Sequence, residues 1–184
     1  MVKLMDGINI GGVLADLDAA PDIWGVHPER VHDNGPHAGC QDVWLRYRAK
    51  DRLLCGQDYL DPHWAEFYPA WWRLPSLRPV VFWIAGLMEA TYLGGMLITR
   101  IPPGGQVKPH VDGGWHALTM NCKVYLPLRA NDGCINRCGD EAAVMRPGEL
   151  WTFCNQVVHS VENNGDTPRE TLIVSMKTEH ETIR

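Results

Sequence analysis

Hydrophobic and polar positions change rhythm about halfway along this 184-residue chain. In the first half, loop residues in "PHAGCQD" lead into an alternating strand candidate, Val43 to Arg48. Trp64, Phe67 and Trp71 then recur at helical spacing and are stopped by prolines. "RPVVFWIAGLMEATY" reads as a helix with Pro79 at its start, a position proline tolerates, and its expected role is to cover a sheet. From Gly94 the pattern is one of short apolar runs separated by turns. "MLITRI" ends at Pro102-Pro103-Gly104-Gly105, and "LTMNCKVYLPL" is a longer alternating strand. "GCINRC", "AAVM", "ELWTFC", "HSVEN" and "ETLIVSMK" follow, with turns at Arg146-Pro147-Gly148 and Asn164-Gly165-Asp166. About eight short strands at this spacing predict a mainly β chain, a jelly roll or β-sandwich and not a parallel sheet. The expected organisation is one domain over 1–184, with an N-terminal mixed and helical layer (1–92) packed on a jelly-roll core (93–178).

Composition narrows the class. Hydrophobic residues at 45% and charged residues at 21% suit a soluble globular domain. A net charge of −5 argues against a partner held through nucleic-acid phosphates. "MVKLMDGINIGG" lacks the apolar run of a signal peptide, and the longest apolar run, Val80 to Met88, is too short to span a membrane. The expectation is therefore a cytoplasmic protein with no membrane partner, whose six cysteines are reduced thiols. Cys134 and Cys138 are spaced C-x-x-x-C with no second pair nearby, so they read as structural thiols and not as a zinc pair.

Chemistry concentrates in "KPHVDGG". Alternate residues of an extended chain point the same way, so His110 and Asp112 aim an imidazole and a carboxylate at one point. His159, in "NQVVHSVENN", is the candidate third ligand, because a jelly roll folds early and late strands against each other. Two histidines and one carboxylate with open positions form the facial triad of non-haem iron(II) oxygenases. Ten residues after His159 comes Arg169, whose guanidinium on the next strand can grip a dicarboxylate fork to fork.

With His-x-Asp, a distal histidine and that arginine, the chain resembles the iron(II)- and 2-oxoglutarate-dependent dioxygenases. "LITRIPPGGQVKPHVD", "GCINRCGDE" and "RPGELWTFCNQVVHSVENNGDTPRETLIV" together resemble the aspartyl/asparaginyl β-hydroxylase family. The resemblance covers Leu93 to Lys177, with Leu74 to Tyr92 as the preceding helix. It implies a double-stranded β-helix, iron(II) on His110, Asp112 and His159, and 2-oxoglutarate with O2 as cosubstrates. It further implies that Arg169 binds the far carboxylate of 2-oxoglutarate, that Thr99 helps it, and that Lys123 and Tyr125 hold the carboxylate beside the metal. The family's better-known animal members carry Arg and His at these last two places and lack the carboxylate ligand, whereas this chain keeps Asp112.

Taken singly, these residues have plainer readings. Lone histidines are mostly ordinary surface or core residues, Asp112 can cap the Gly113-Gly114 turn, and Thr99 can be a simple β-former. Lys123 and Tyr125 share one face of their strand, which lines the cavity or meets water. His116 is a competing ligand read as a loop residue near substrate, and Trp115 beside it is a candidate pocket wall. Two function classes follow: a hydroxylase of a C–H bond in an Asp, Asn or other amino-acid side chain, free or in a polypeptide; or a cupin-like metal-binding protein or metalloenzyme that does not use 2-oxoglutarate. Glu170, next to Arg169, is expected on the opposite face, where its loss should do little.

Overall fold

The computed structural model describes residues 1–49 and 64–179. Cys55 lies outside them. In chain order the elements are β1 (Val2–Met5), α1 (Gly11–Ala19), β2 (Gln41–Arg48), β3 (Ala65–Phe67), α2 (Pro69–Arg73), α3 (Leu77–Leu87) and β4 (Ala90–Ile101). Then come β5 (Gln106–His110), α4 (Gly114–Thr119), β6 (Cys122–Arg129), β7 (Cys134–Cys138), β8 (Glu141–Val144), β9 (Leu150–Thr152), β10 (His159–Asn163) and β11 (Arg169–Thr178). The strands pair antiparallel in two sheets, β1-β9-β6-β11-β4-β2-β3 and β5-β10-β7-β8. The two sheets pack face to face as a mainly β jelly roll, with helices on the outer side of the larger one.

The larger sheet owes its position to a two-residue alternation. Leu172, Val174 and Met176 of β11, Met96 and Ile98 of β4, and Val124 and Leu126 of β6 share one apolar cluster with Val13 and Leu17 of α1 and with Leu77, Val81 and Ile84 of α3. Burying each such side chain contributes roughly 1.5–3 kcal/mol before entropy is counted. The residues between them face the other sheet, and many are polar: Asp42, Thr99, Thr171 and Arg169 are all buried. Lys123 and Tyr125 share that inner face, because Val124 and Leu126 point to the helices.

Several local expectations change. The stretch with Trp64, Phe67 and Trp71 is not one helix: Ala65–Phe67 pairs with β2, and a new helix starts at Pro69. Helix α3 stops at Leu87, and Glu89 takes a left-handed φ of 50° as the chain turns into β4 at Ala90. Pro79 sits in the first turn of α3, where its missing N–H has no helical acceptor to lose. Leu118 and Thr119 end helix α4 instead of opening a strand, and His116 lies on that helix, not in a loop. The described cysteines, 40, 122, 134, 138 and 154, are all free thiols. Among the described residues no helix is long and apolar enough to cross a membrane.

Glu170 does point away from Arg169, but the opposite face is covered. Its carboxylate is buried and accepts from Arg100 (Nε, 2.8 Å) and Arg129 (Nη1, 2.6 Å), while Arg129 Nη2 also reaches Asp18 of α1 at 2.7 Å. This network joins the sheet to the helical layer, so Glu170 is not the neutral position that the sequence suggested. Breaking a fully buried pair costs about 3–5 kcal/mol. The Arg100 and Arg129 side chains are 27% and 32% exposed, so water rescues part of that cost. We expect Glu170→Ala to destabilise the fold by about 2 kcal/mol in urea unfolding; a change within about 0.5 kcal/mol, the range of ordinary surface substitutions, would remove the network from the account.

Candidate functional site

The turn at Pro102–Gly105 aims β5 at the site. Gly104 adopts φ 71°, and its N–H donates to Asn163 O at 2.8 Å. Asn163, fully buried at the end of β10, donates from Nδ2 to the carbonyls of Ile101 and Pro102 at 3.1 Å. This ties β5 to β10 and sets His110 directly opposite His159 in the ladder. Asp112 follows His110 by two residues, and its N–H donates to Asn155 O at 3.1 Å.

The three side chains converge. Asp112 Oδ1 lies 3.4 Å from His110 Nε2 and 3.7 Å from His159 Nε2, and one ligand atom from each residue falls within 4.8 Å of the other two. His110 Nδ1 is 2.8 Å from Lys108 O, and His159 Nδ1 is 2.9 Å from Val157 O. A carbonyl only accepts, so each Nδ1 carries the proton and each Nε2 presents a lone pair to the common centre. That tautomer is the one a metal ligand requires.

The electrostatics keep Asp112 ionised and His159 neutral, the forms in which both can ligate. Burial opposes ionisation of Asp112, but Lys123 (Nζ to Oδ2, 2.5 Å), His110 and His159 outweigh it and hold the carboxyl well below its usual range. Burial pulls His159 below the ordinary histidine value, with the Val157 carbonyl and Asp112 offsetting part of the effect. His37, whose ring meets His110 edge-on at 4.9 Å, is driven down to about 2 by burial and by nearby Arg30 and His110.

Arg169 is sealed between the sheets. Among the described residues its side chain has one hydrogen-bond partner, Asn136 Oδ1 at 2.8 Å, and its buried Nε has none. Among the described residues no carboxylate is paired with it; desolvation pulls it down to about 10, with Cys134, Tyr125 and Cys40 acting weakly in the other direction. Thr171, two residues along the same face, is fully buried, and its hydroxyl has no partner among the described residues. Tyr125 stacks on Phe153 and accepts from Asn155 Nδ2 at 2.5 Å, which leaves its phenolic proton free to donate. Burial first, then Asp112, pushes the Tyr125 phenol well up, while Asn155, Arg30 and Arg169 act in the other direction. Thr99 faces inward, but its hydroxyl donates to Asp42 Oδ1 at 2.8 Å.

A cavity of about 710 Å³ opens beside the triad. His110, Asp112, Lys123, Trp115 and His116 line it, as do Arg30 and Tyr47 from the N-terminal half. Arg169, Thr99 and Tyr125 are not part of that wall; they are buried between the sheets. Arg30, Asp42, Asn136 and Thr171 escaped the sequence reading. The one available signal was Asp42, which alternation puts on the same face as Trp44 in "QDVWLRY".

No curated protein matches the chain. Among solved structures it is similar, over 46% of its length, to a predicted oxalate decarboxylase from Thermotoga maritima (20% identity, 67% of that chain, TM-score 0.37). Over the same share it is similar to a cupin domain from Bordetella pertussis (21% identity, 81% of that chain, TM-score 0.37) and to a double-stranded β-helix protein from Klebsiella pneumoniae (14% identity, 68% of that chain, TM-score 0.36). The family model described as Aspartyl/Asparaginyl beta-hydroxylase matches residues 79–179, a span that holds all three converging side chains, Arg169, Thr99, Lys123 and Tyr125. The chain belongs to the aspartyl/asparaginyl β-hydroxylase family.

Proposed function

We propose that the protein is an iron(II)- and 2-oxoglutarate-dependent dioxygenase that hydroxylates a C–H bond of an amino-acid side chain, free or in a polypeptide. The observation that carries this reading is the buried Arg169 guanidinium, which has no carboxylate beside it among the described residues. Burying an unpaired charge is costly, and an anionic ligand offsets that cost where a neutral one does not. A dicarboxylate that reaches from the His110, Asp112 and His159 centre to Arg169 satisfies both ends of the site.

The residues present fit such a group. His110, Asp112 and His159 would hold the metal through two imidazole Nε2 atoms and a carboxylate oxygen. Lys123, already beside Asp112, supplies a cation for the carboxylate next to the metal. Arg169, with the Thr171 hydroxyl and the free Tyr125 phenolic proton, supplies donors for the far carboxylate. Bound iron(II) and 2-oxoglutarate bring the oxidising chemistry, in which decarboxylation of the cosubstrate by O2 is coupled to hydroxylation. The chain's own part is to fix both carboxylates, exclude water from the region between the sheets, and leave the cavity side open for substrate.

Three outcomes follow. Purified protein with iron(II), O2 and ascorbate as reductant should convert 2-oxoglutarate to succinate and CO2; absence of succinate in that mixture favours a metalloprotein that does not use this cosubstrate. His110→Ala, Asp112→Ala and His159→Ala should each abolish that conversion while circular dichroism shows a folded chain, and full turnover by one variant at limiting iron would remove that residue from the metal site. Arg169→Met should raise the melting temperature of the ligand-free protein, because an unpaired buried charge is replaced by an apolar chain. The same variant should lose the stabilisation by 2-oxoglutarate, which in the wild type reaches about 2.7 kcal/mol at a hundredfold excess over Kd. Its KM for 2-oxoglutarate should rise about ten- to a hundredfold. An unchanged KM would move the anchor elsewhere, with Arg137→Ala, on the exposed face of β7, as the control.

A further inference from the structure

We propose that Arg30 is the residue that selects the substrate, by binding a substrate carboxylate in the cavity beside the triad. This rests on the hydroxylase reading above and adds to it a recognition group from outside the family-matched span 79–179.

Arg30 ends a short 3-10 turn, Pro28–Arg30, in the N-terminal layer. Its Nη1 donates to Asp42 Oδ2 at 2.8 Å and lies 3.4 Å from Thr99 Oγ1. Asp42 is itself buried and receives the Thr99 hydroxyl on its other oxygen at 2.8 Å. The guanidinium is therefore held from behind by a chain of contacts that starts in the jelly roll. A guanidinium has five N–H donors in a fixed fork, and among the described residues only Nη1 is engaged. Nε and Nη2 form an edge suited to a bidentate carboxylate, and Arg30 lines the cavity with its side chain 19% exposed. Trp44, two residues along β2 from Asp42, lines the same cavity, and its buried indole N–H has no acceptor among the described residues. Two unmet donors in one wall, near the centre formed by His110, Asp112 and His159, define an anion subsite. Arg169 is not part of this wall, so the two arginines serve different carboxylates.

The carboxylate belongs either to the main chain of a free amino acid or to an acidic side chain, and three probes separate these. Free L-asparagine carries only the first, N-acetyl-L-aspartate N′-methylamide only the second, and N-acetyl-L-asparagine N′-methylamide neither. Binding is measured by calorimetry on the full chain loaded with zinc(II) and 2-oxoglutarate, so no turnover is required. At least one carboxylate probe should bind about ten- to a hundredfold more tightly than the neutral one, and Arg30→Gln should collapse that difference. Because Arg30→Gln strands the buried Asp42 carboxylate, the double variant Arg30→Gln/Asp42→Asn is measured alongside it and should collapse the difference too. A preference that survives in both variants, or no preference or no binding in the wild type, overturns the assignment. Succinate formation from 2-oxoglutarate is scored separately, so failure of the subsite is not mistaken for failure of the cosubstrate reading.

Discussion

A guanidinium enclosed between two β-sheets, with no carboxylate beside it among the described residues, is the constraint on which this molecule turns. Interiors that hold ionised groups usually pair them, because an uncompensated charge costs several kcal/mol. Arg169 keeps one neutral partner, Asn136, and leaves Nε unmet. Glu170, its immediate neighbour, shows the contrast: it is equally buried, yet it meets two arginines on the other face of the same strand. One face of β11 is therefore electrostatically closed and holds the fold together. The other carries the Arg169 charge without a carboxylate partner among the described residues. Under the proposed reading, the stability given up at Arg169 is recovered when the cosubstrate binds.

The rest of the architecture makes that division possible. Leu172, Val174 and Met176 of β11, with their counterparts on β4 and β6, bury an apolar surface under α1 and α3. The inner face holds smaller apolar clusters around Trp44, Leu97, Tyr125 and Ile173, and between them it carries Asp42, Thr99, Lys123, Arg169 and Thr171. The β5–β10 ladder then brings the two histidines to the open end of that interior, with their tautomers set by the carbonyls of Lys108 and Val157. The three converging side chains stand beside the cavity, and Arg169 lies buried between the sheets behind them.

How much of this was legible in the sequence depended on how local the signal was. Alternation put His110 and Asp112 together and they do converge, but β5 ends at His110, and Asp112 is held beyond it by its N–H bond to Asn155 O; the succession of short strands revealed the jelly roll. His159 needed the fold's habit of bringing late strands onto early ones, and the ladder does set it against His110. Arg30 and Thr171 were invisible: the first sits in a turn-rich region without periodicity, and the second is indistinguishable from an ordinary β-forming residue until its partners are counted. Glu170 was placed on the correct side of its strand, but alternation does not say whether that side meets water or a helix. The apparent helix through Trp64, Phe67 and Trp71 failed because strand pairing with β2 outweighed the spacing of three aromatic residues.

The central claim is that the Arg169 charge is reserved for the far carboxylate of a dicarboxylate cosubstrate. The most direct measurement is an anaerobic calorimetric titration of the iron(II)-loaded protein with 2-oxoglutarate and, separately, with 2-oxobutyrate, which lacks only that carboxylate. The account predicts that 2-oxoglutarate binds at least about tenfold more tightly, the equivalent of one charge-assisted contact. Equal affinity for the two acids would contradict it.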